Sequence, residues 1–456
     1  VPSTQSSRRG LAWTQVRDSL WFIPSLAVLA ATALAILAVR IPTPRPESRF
    51  AWVWLFGGGA EGARGVLTAI AGSLITVTGT VFSVTIVALQ LASSQFTPRL
   101  LRSFVADRVN QAVLGVFIGT FTYTLLVLRT IHSAAGGPET FVPQVGVSIA
   151  LVLLLVSIGA LIVFINHAAQ SIQASVILHR ETQRTLAQIE TLFPERLGRA
   201  EPTRAPEHVV PADPPGVVVA TEAGYLQAVH ADALWRIGEE HHAGVVTIRM
   251  ELHIGAFAFA GKPLAAVWPS HATDAVAGAI RRAFVLGPER TPGQDVEFGI
   301  VELSDIAVKA LSPGINDPTT ALHAIDRLAQ LLAAIGTRRH PETVRRSPDG
   351  RVRLLVRDTT FRRAAGLAFD QIRHFGADNP TITKKLLEAL GDLAGVVPPE
   401  AREALVEQAE SVARAARRAI DDTADLAAVE RLVARTLALT RAPGEGGAEV
   451  HGEDRP

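Results

Sequence analysis

The sequence predicts an α-helical integral membrane protein: four transmembrane helices followed by a cytoplasmic α+β domain, in which a small β-rich module precedes a helical bundle. Three observations predict it. Four apolar stretches, Leu20–Val39, Val66–Leu91, Ala112–Leu128 and Pro143–Ile165, contain no Lys, Arg, Asp or Glu. Each is close to or above the about 20 helical residues that cross a ~30 Å hydrocarbon core. Beyond residue 215, short glycine-punctuated apolar runs give way near residue 270 to helical periodicity.

The first stretch follows Arg17 and carries Trp21 at its edge. Its small-residue triplet Ala33-Leu34-Ala35 lies inside the run rather than after it, so the segment reads as a retained span and not a cleaved leader. The loop that follows holds Trp52, Trp54 and Phe56, an interfacial belt or re-entrant piece. Gly57-Gly58-Gly59-Ala60-Glu61-Gly62 matches G-x-G-x-x-G literally, yet a membrane span follows it and residues 76–90 contain no acid. A dinucleotide site needs a strand before, a helix after and an acid about 20 residues on, so the match is accidental.

Orientation comes from the short loops. Arg8, Arg9, Arg17, Arg99, Arg102 and Arg108 fall on one side; Arg40, Arg45, Arg49 and Arg64 fall on the other, and 132–142 has no Lys or Arg. The bias favours both termini inside, with residues 1–19 as a cytoplasmic tail. The fourth span is expected to continue as a helical stalk over 166–193, followed by a Pro-rich linker over 194–215.

Strand signals fill 216–268: Val217–Ala220, Tyr225–Val229, Val245–His253 and Phe257–Val267, with a short helix at Asp232–His241. Over 269–440 the periodicity predicts helices at Ala272–Leu286, Gln294–Leu311, Pro318–Ile335, Phe361–Phe375, Thr381–Leu393, Glu400–Ile420 and Ala424–Leu439. Caps at Asp317-Pro318 and Asn379-Pro380 support several starts. One hairpin interrupts them, Val344–Arg346 and Arg351–Val356 around Ser347-Pro348-Asp349-Gly350. Residues 441–456 are Gly-, Glu- and Pro-rich and predict a disordered tail.

The strings Gly72-Ser-Leu-Ile-Thr-Val-Thr-Gly-Thr-Val-Phe-Ser-Val-Thr85, Leu91-Ala-Ser-Ser-Gln-Phe-Thr-Pro-Arg99, Gly115-Val-Phe-Ile-Gly-Thr-Phe121 and Leu311-Ser-Pro-Gly-Ile-Asn-Asp-Pro318 resemble a bacterial family of predicted membrane proteins, domain of unknown function 2254. The resemblance runs from Leu11 to Leu439. It implies a four-span bacterial membrane protein with a cytoplasmic domain, and implies no activity.

Composition narrows the function. The 456 residues are 48% hydrophobic with mean hydropathy +0.26, the excess lying in the first third. Net charge is +1, so no global field recruits nucleic acid. Without cysteine there is no disulfide, thiolate metal site or Cys nucleophile. The histidines show no compact metal spacing, and no P-loop or G-x-S-x-G elbow occurs. No enzyme, metal or cofactor is expected.

Three constellations remain. In the second span, Ser73, Thr76, Thr80, Ser83 and Gln90 share a ~100° stripe with Gly72 and Gly79 on its margin. Such a face lines a water-filled pore or packs helices closely through small-x3-small pairs. Arg99, Arg102 and Arg108 at its exit hold lipid phosphates, form a cationic mouth or simply anchor the inner surface. In the soluble half, Arg290, Gln294 and Asp295 stand at one end of a predicted helix and Ser312, Asn316 and Asp317 at the other. They read as caps and turns or as a ligand or subunit contact. A ribbon of arginines from Arg338 to Arg363 surrounds the hairpin.

The lack of intramembrane charge disfavours ion-coupled pumping. The expectation is a homo-oligomeric, channel-like inner-membrane protein whose partners are the bilayer, copies of itself and an ion or small ligand. The alternative is a membrane-anchored sensor or scaffold whose cytoplasmic domain binds a ligand or protein.

Overall fold

A computed structural model describes residues 19, 21–41, 56–95, 107–132, 141–171, 173–193, 211–240, 246–338, 344–347, 350–357 and 359–441. The N-terminal tail, Trp52, Trp54, Arg99, Arg102, most of the Pro-rich linker, the Pro348-Asp349 turn centre and residues 442–456 lie outside them. The chain divides into two compact units at Val176.

The first unit is a bundle of four helices long and apolar enough to cross a membrane: α1 (Phe22–Arg40), α2 (Ala60–Gln95), α3 (Arg108–Arg129) and α4 (Gln144–Ser171). They alternate in direction. The end of α2's first turn and the end of α3 meet through Arg64, which donates to the Ile131 carbonyl at 3.0 Å. At the opposite end, the His167 Nε2 of α4 lies 2.7 Å from Asp107 Oδ2, at the start of α3. Asp107 also accepts from the Val109 N–H and so caps α3.

Helix α3 is the centre of the bundle, with 56% of its span window buried against 17–22% for the other three. The reason is in its sequence. A Cβ on Gly115 would stand 3.3 Å from the Ala27 Cβ, and one on Gly119 would stand 3.3 Å from the Ala27 carbonyl oxygen. The Gly115-x3-Gly119 pair therefore lets α1 lie directly on α3. Two buried polar side chains tie α3 to α4: Tyr123 donates to the Gly146 carbonyl, and Thr120 accepts from Ser157. The 32-residue span within α2 extends about 48 Å, longer than a ~30 Å core, so it tilts or protrudes.

The second unit starts with α5 (Ala174–Leu192). The expected stalk is not one continuous helix: α4 ends at Ser171 and α5 begins at Ala174, although no Gly or Pro marks the break. Packing of α5 within the second unit gives the physical reason. Its apolar face, Ile177, Leu178 and Ile189, is buried, and Gln188 donates to the Pro292 carbonyl at 2.7 Å. Thr185 sits so close to Gly299 that any Cβ there would collide with it.

Two sheets follow. Strands β1 (Gly216–Val219), β2 (Gly224–Val229), β3 (Thr247–Met250), β4 (Phe257–Ala258) and β5 (Pro263–Trp268) are joined by helices α6 (Ala231–Glu240) and α7 (Thr273–Ala283). The predicted helix over 272–286 stops at Ala283. Phe284–Gly287 instead becomes β6, pairing antiparallel with β2 in a sheet of order β4-β2-β6. An apolar Phe-Val-Leu run fits helix or strand equally, and only its distant partner decides.

Likewise Phe257–Val267 splits at Gly261 (φ 91°), and β4 and β5 enter different sheets. The hairpin β7 (Val344–Arg346) and β8 (Val352–Leu355) completes the five-stranded sheet β1-β5-β3-β8-β7, through parallel pairing of β8 with β3. Val218, Leu226, Ile248, Val267 and Ile280 form the shared core beneath α6 and α7.

The remaining helices are α8 (Val296–Ala310), α9 (Pro318–Thr337), α10 (Phe361–Phe375), α11 (Pro380–Ala394), α12 (Pro399–Ala419) and α13 (Thr423–Arg441). Helix α8 is buried along most of its length and packs against α9 and α10. Side-chain caps hold the starts of α8, α9, α10 and α11: Asp295, Asp317, Thr360 and Asn379 each accept a backbone N–H.

Candidate functional site

The stripe on α2 points away from its own bundle. Ala63, Leu67, Ile70, Leu74, Val81 and Thr85 are buried, whereas Gly72, Ser73, Thr76, Gly79, Thr80, Ser83 and Gln90 are all exposed. A Cβ built on Gly72 or on Gly79 meets no atom within 4 Å. Among the described residues the small-x3-small pairs of α2 therefore meet no other helix of this chain, whereas Gly115 and Gly119 of α3 do. The exposed small face is also longer than the motif read from sequence. Gly62, Gly65 and Ala69 extend it toward the start of the helix, on the same 100° progression.

Thr76 and Thr80 donate to the carbonyls of Gly72 and Thr76, both at 3.1 Å. These back-bonds lower the cost of holding hydroxyls in hydrocarbon without removing their polarity. The stripe is not free of large apolar side chains, since Val87 lies within it and Ile75, Phe82 and Ile86 are exposed beside it; the outward faces of α1 and α4 expose Leu26, Leu29, Leu37, Val152, Leu155 and Ile162. Arg108 opens α3, and its companions Arg99 and Arg102 fall outside the described residues.

In the second unit the two polar turns lie at opposite ends of α8, as their spacing requires. Arg290 grips Asp295 with both arms, at 2.8 and 2.9 Å, and Asp295 accepts from the Phe298 N–H at 3.0 Å. Burial pushes the Asp295 carboxyl up, against the pull of the Arg290 guanidinium. Gly255 (φ 84°) lets the chain pass over this pair, because a Cβ there would strike Asp295 Oδ2. Gln294 accepts from the Val229 N–H at 2.9 Å, tying α8 to β2.

At the other end, Ser312 donates to the Lys309 carbonyl, and Asn316 adopts φ 49°. Asp317 takes both the N–H and the hydroxyl of Thr320, and that hydroxyl holds its carboxyl below the usual range. The predicted residues thus serve as caps and ties.

Sequence reasoning missed the neighbouring network. Buried Glu297 receives Nε and Nη2 of Arg363 at 2.5 and 2.9 Å, and the Thr359 hydroxyl at 2.8 Å. Arg363 also donates to His253 Nε2 at 2.9 Å; burial first, then the Arg363 charge, lowers the His253 pKa. The only signal in the sequence was Arg363 within the arginine ribbon, and the ribbon itself is dispersed. Arg338 bonds the Phe193 carbonyl, Arg353 is buried, Arg357 bonds the Glu251 carbonyl and Arg362 pairs with Glu403 and Glu407.

The Glu297–Arg363 pair links α8 to α10. These helices border a cleft of about 580 Å³. Among the described residues no three His, Asp or Glu side chains gather as a metal site.

Four long apolar helices followed by two small sheets and a helical bundle define a multi-pass integral membrane protein with a large extramembrane domain. The chain belongs to the family described as "Predicted membrane protein (DUF2254)", which it matches over residues 17–392. It is similar to uncharacterised proteins of Mycobacterium tuberculosis and Mycobacterium bovis, 34% identical over 447 residues, covering 96% of this chain and 84% of each relative. No solved structure matches it.

Proposed function

We propose that this chain is a homo-oligomeric, channel-like protein of the bacterial inner membrane. In this reading the α2 stripe faces the shared axis and the extramembrane domain serves as a cytoplasmic vestibule or gate. The observation that carries it is that Ser73, Thr76, Thr80, Ser83 and Gln90, with Gly72 and Gly79, all stand exposed along one face of α2, interrupted by Val87. Lipid gives no partner to hydroxyls or an amide, whereas a symmetric ring brings equivalent stripes together around water or one another. No charge occurs on α2 between Gly65 and Gln95, so the path is passive rather than ion-coupled. A second reading, a membrane-anchored sensor, draws support from the α8–α10 cleft.

The test is liposome flux and planar-bilayer recording on wild type, Thr80→Leu and Thr85→Val, with mass in mild detergent measured by light scattering. Thr85 faces the bundle interior, so valine preserves its packing. Loss of current at 80 with retention at 85, from an oligomer, supports a pore. A well-folded monomer at micromolar protein, or silence to several ions under voltage and tension, leaves the sensor reading ahead. Orientation is checked on the Cys-free chain by single cysteines at exposed Phe141 and Glu400. Impermeant reagent reaching Glu400→Cys in intact cells overturns the cytoplasmic placement.

A further inference from the structure

The turn between β3 and β4 is fastened to the β-module on one side and to the helical bundle on the other. Leu252 is buried and Ile254 packs against the shared core. Gly255 donates its N–H to the Leu226 carbonyl at 2.8 Å, and Ala256 donates to the His253 carbonyl at 3.1 Å. The half-buried His253 side chain reaches the bundle instead, where Arg363 of α10 places Nη2 2.9 Å from its Nε2.

A guanidinium has donors only, so His253 Nε2 must be the acceptor and the ring proton sits on Nδ1. The contact therefore exists only with a neutral imidazole. Arg363 cannot yield by turning its charge away, because buried Glu297 holds its Nε and Nη2. Glu297 already takes the Thr359 hydroxyl as well. Two further guanidiniums face the ring: Arg357, which donates to the Glu251 carbonyl, and Arg290, which is paired with Asp295. On the turn itself, the Glu251 carboxylate is taken by Arg249 at 2.8 Å. Burial first, then the Arg363 charge, holds the imidazole below its ordinary value.

We infer that His253 is an acid-sensitive latch between the β-module and the helical bundle. A proton from solvent taken up at Nε2 occupies the lone pair that Arg363 uses and sets imidazolium against guanidinium, which releases the 253–255 turn from α10. The sign follows from linkage. A released His253 titrates near the ordinary value of about 6.5 and the docked one lower, so docking is complete above about pH 6.5 and weakens as pH falls toward the docked value. Each pH unit within that window is worth up to about tenfold in the docking equilibrium. The inference is independent of the pore reading, since every residue in it belongs to the extramembrane unit.

The test is hydrogen exchange read by mass spectrometry on the full chain in detergent at pH 7.5 and 5.5, with labelling times scaled for intrinsic exchange. In wild type, protection at Gly255 and Ala256 should fall several-fold, up to about tenfold, at the lower pH, while the β2–β6 pairing keeps its protection. His253→Gln offers Arg363 an acceptor oxygen that does not titrate, so its turn should stay protected at both values. His253→Lys sets a fixed cation against Arg363 and should leave the turn open at both. Wild-type protection that does not change with pH overturns the proposal. So does an equal loss in His253→Gln, a folded His253→Lys protected like wild type, or a wild-type loss spread evenly over the unit. If either variant elutes or melts abnormally, the confinement of the wild-type loss to the turn decides.

Discussion

Replacing one glycine on each face of the bundle separates packing within a protomer from packing between protomers. Gly119→Leu places a Cβ 3.3 Å from the Ala27 carbonyl oxygen and then adds three more carbons where the α1 backbone already lies. That oxygen belongs to a helix and cannot swing aside. The helices must separate, and overpacking of this kind costs about 1–3 kcal/mol or more. A Cβ on Gly79 meets nothing within 4 Å in its own chain, so Gly79→Leu should leave unfolding of the single chain within about 0.5 kcal/mol of wild type. In an oligomer built on the α2 stripe, the same leucine blocks close approach and lowers the assembled mass. The assay pairs equilibrium unfolding in mixed detergent and SDS, followed by circular dichroism, with light scattering in mild detergent. Gly79→Leu destabilising the protomer as much as Gly119→Leu would refute the assignment of faces. An unchanged oligomer in Gly79→Leu would remove the stripe from the interface.

Asp295→Asn keeps a good helix cap but leaves the half-buried Arg290 guanidinium without its carboxylate. A loss of about 3–5 kcal/mol is expected in chemical denaturation of the chain, with Asp295→Ala losing about 1 kcal/mol more. Near-equal stability of Asp295→Asn and wild type would show that Arg290 is solvated elsewhere. Asp317 has its folded pKa lowered by the Thr320 hydroxyl, so its stabilising effect is present above the unfolded carboxyl value of about 3.9 and lost as pH falls through the folded value. Asp317→Ala should therefore cost about 1 kcal/mol at neutral pH, a gap that narrows below about pH 4. A gap constant with pH would mean the backbone turn, not the charge, holds α9.

The four spans were legible in the sequence because hydrocarbon imposes a one-dimensional requirement: enough consecutive apolar residues, with every backbone group bonded within the helix. Local chemistry likewise identified the Asp317 and Asn379 caps, and the strings shared with the family identified the family. The amphipathic helices from Pro318 onward needed only their own periodicity.

Tertiary structure decided the rest. Nothing local tells Phe284–Gly287 that it pairs with β2, or that the 344–355 hairpin adds to a sheet begun a hundred residues earlier, because strand pairing is long-range. A stripe of small residues looks alike whether it faces its own bundle or the outside, and only the position of α3 turns the Gly115-x3-Gly119 pair inward and the Gly72–Gln90 face outward. Arg363, one arginine among many in sequence, becomes the partner of buried Glu297 because two helices distant in the chain are packed side by side. His253 reads in sequence as one more histidine without metal spacing. Only the Arg363 guanidinium beside it decides which ring nitrogen must accept.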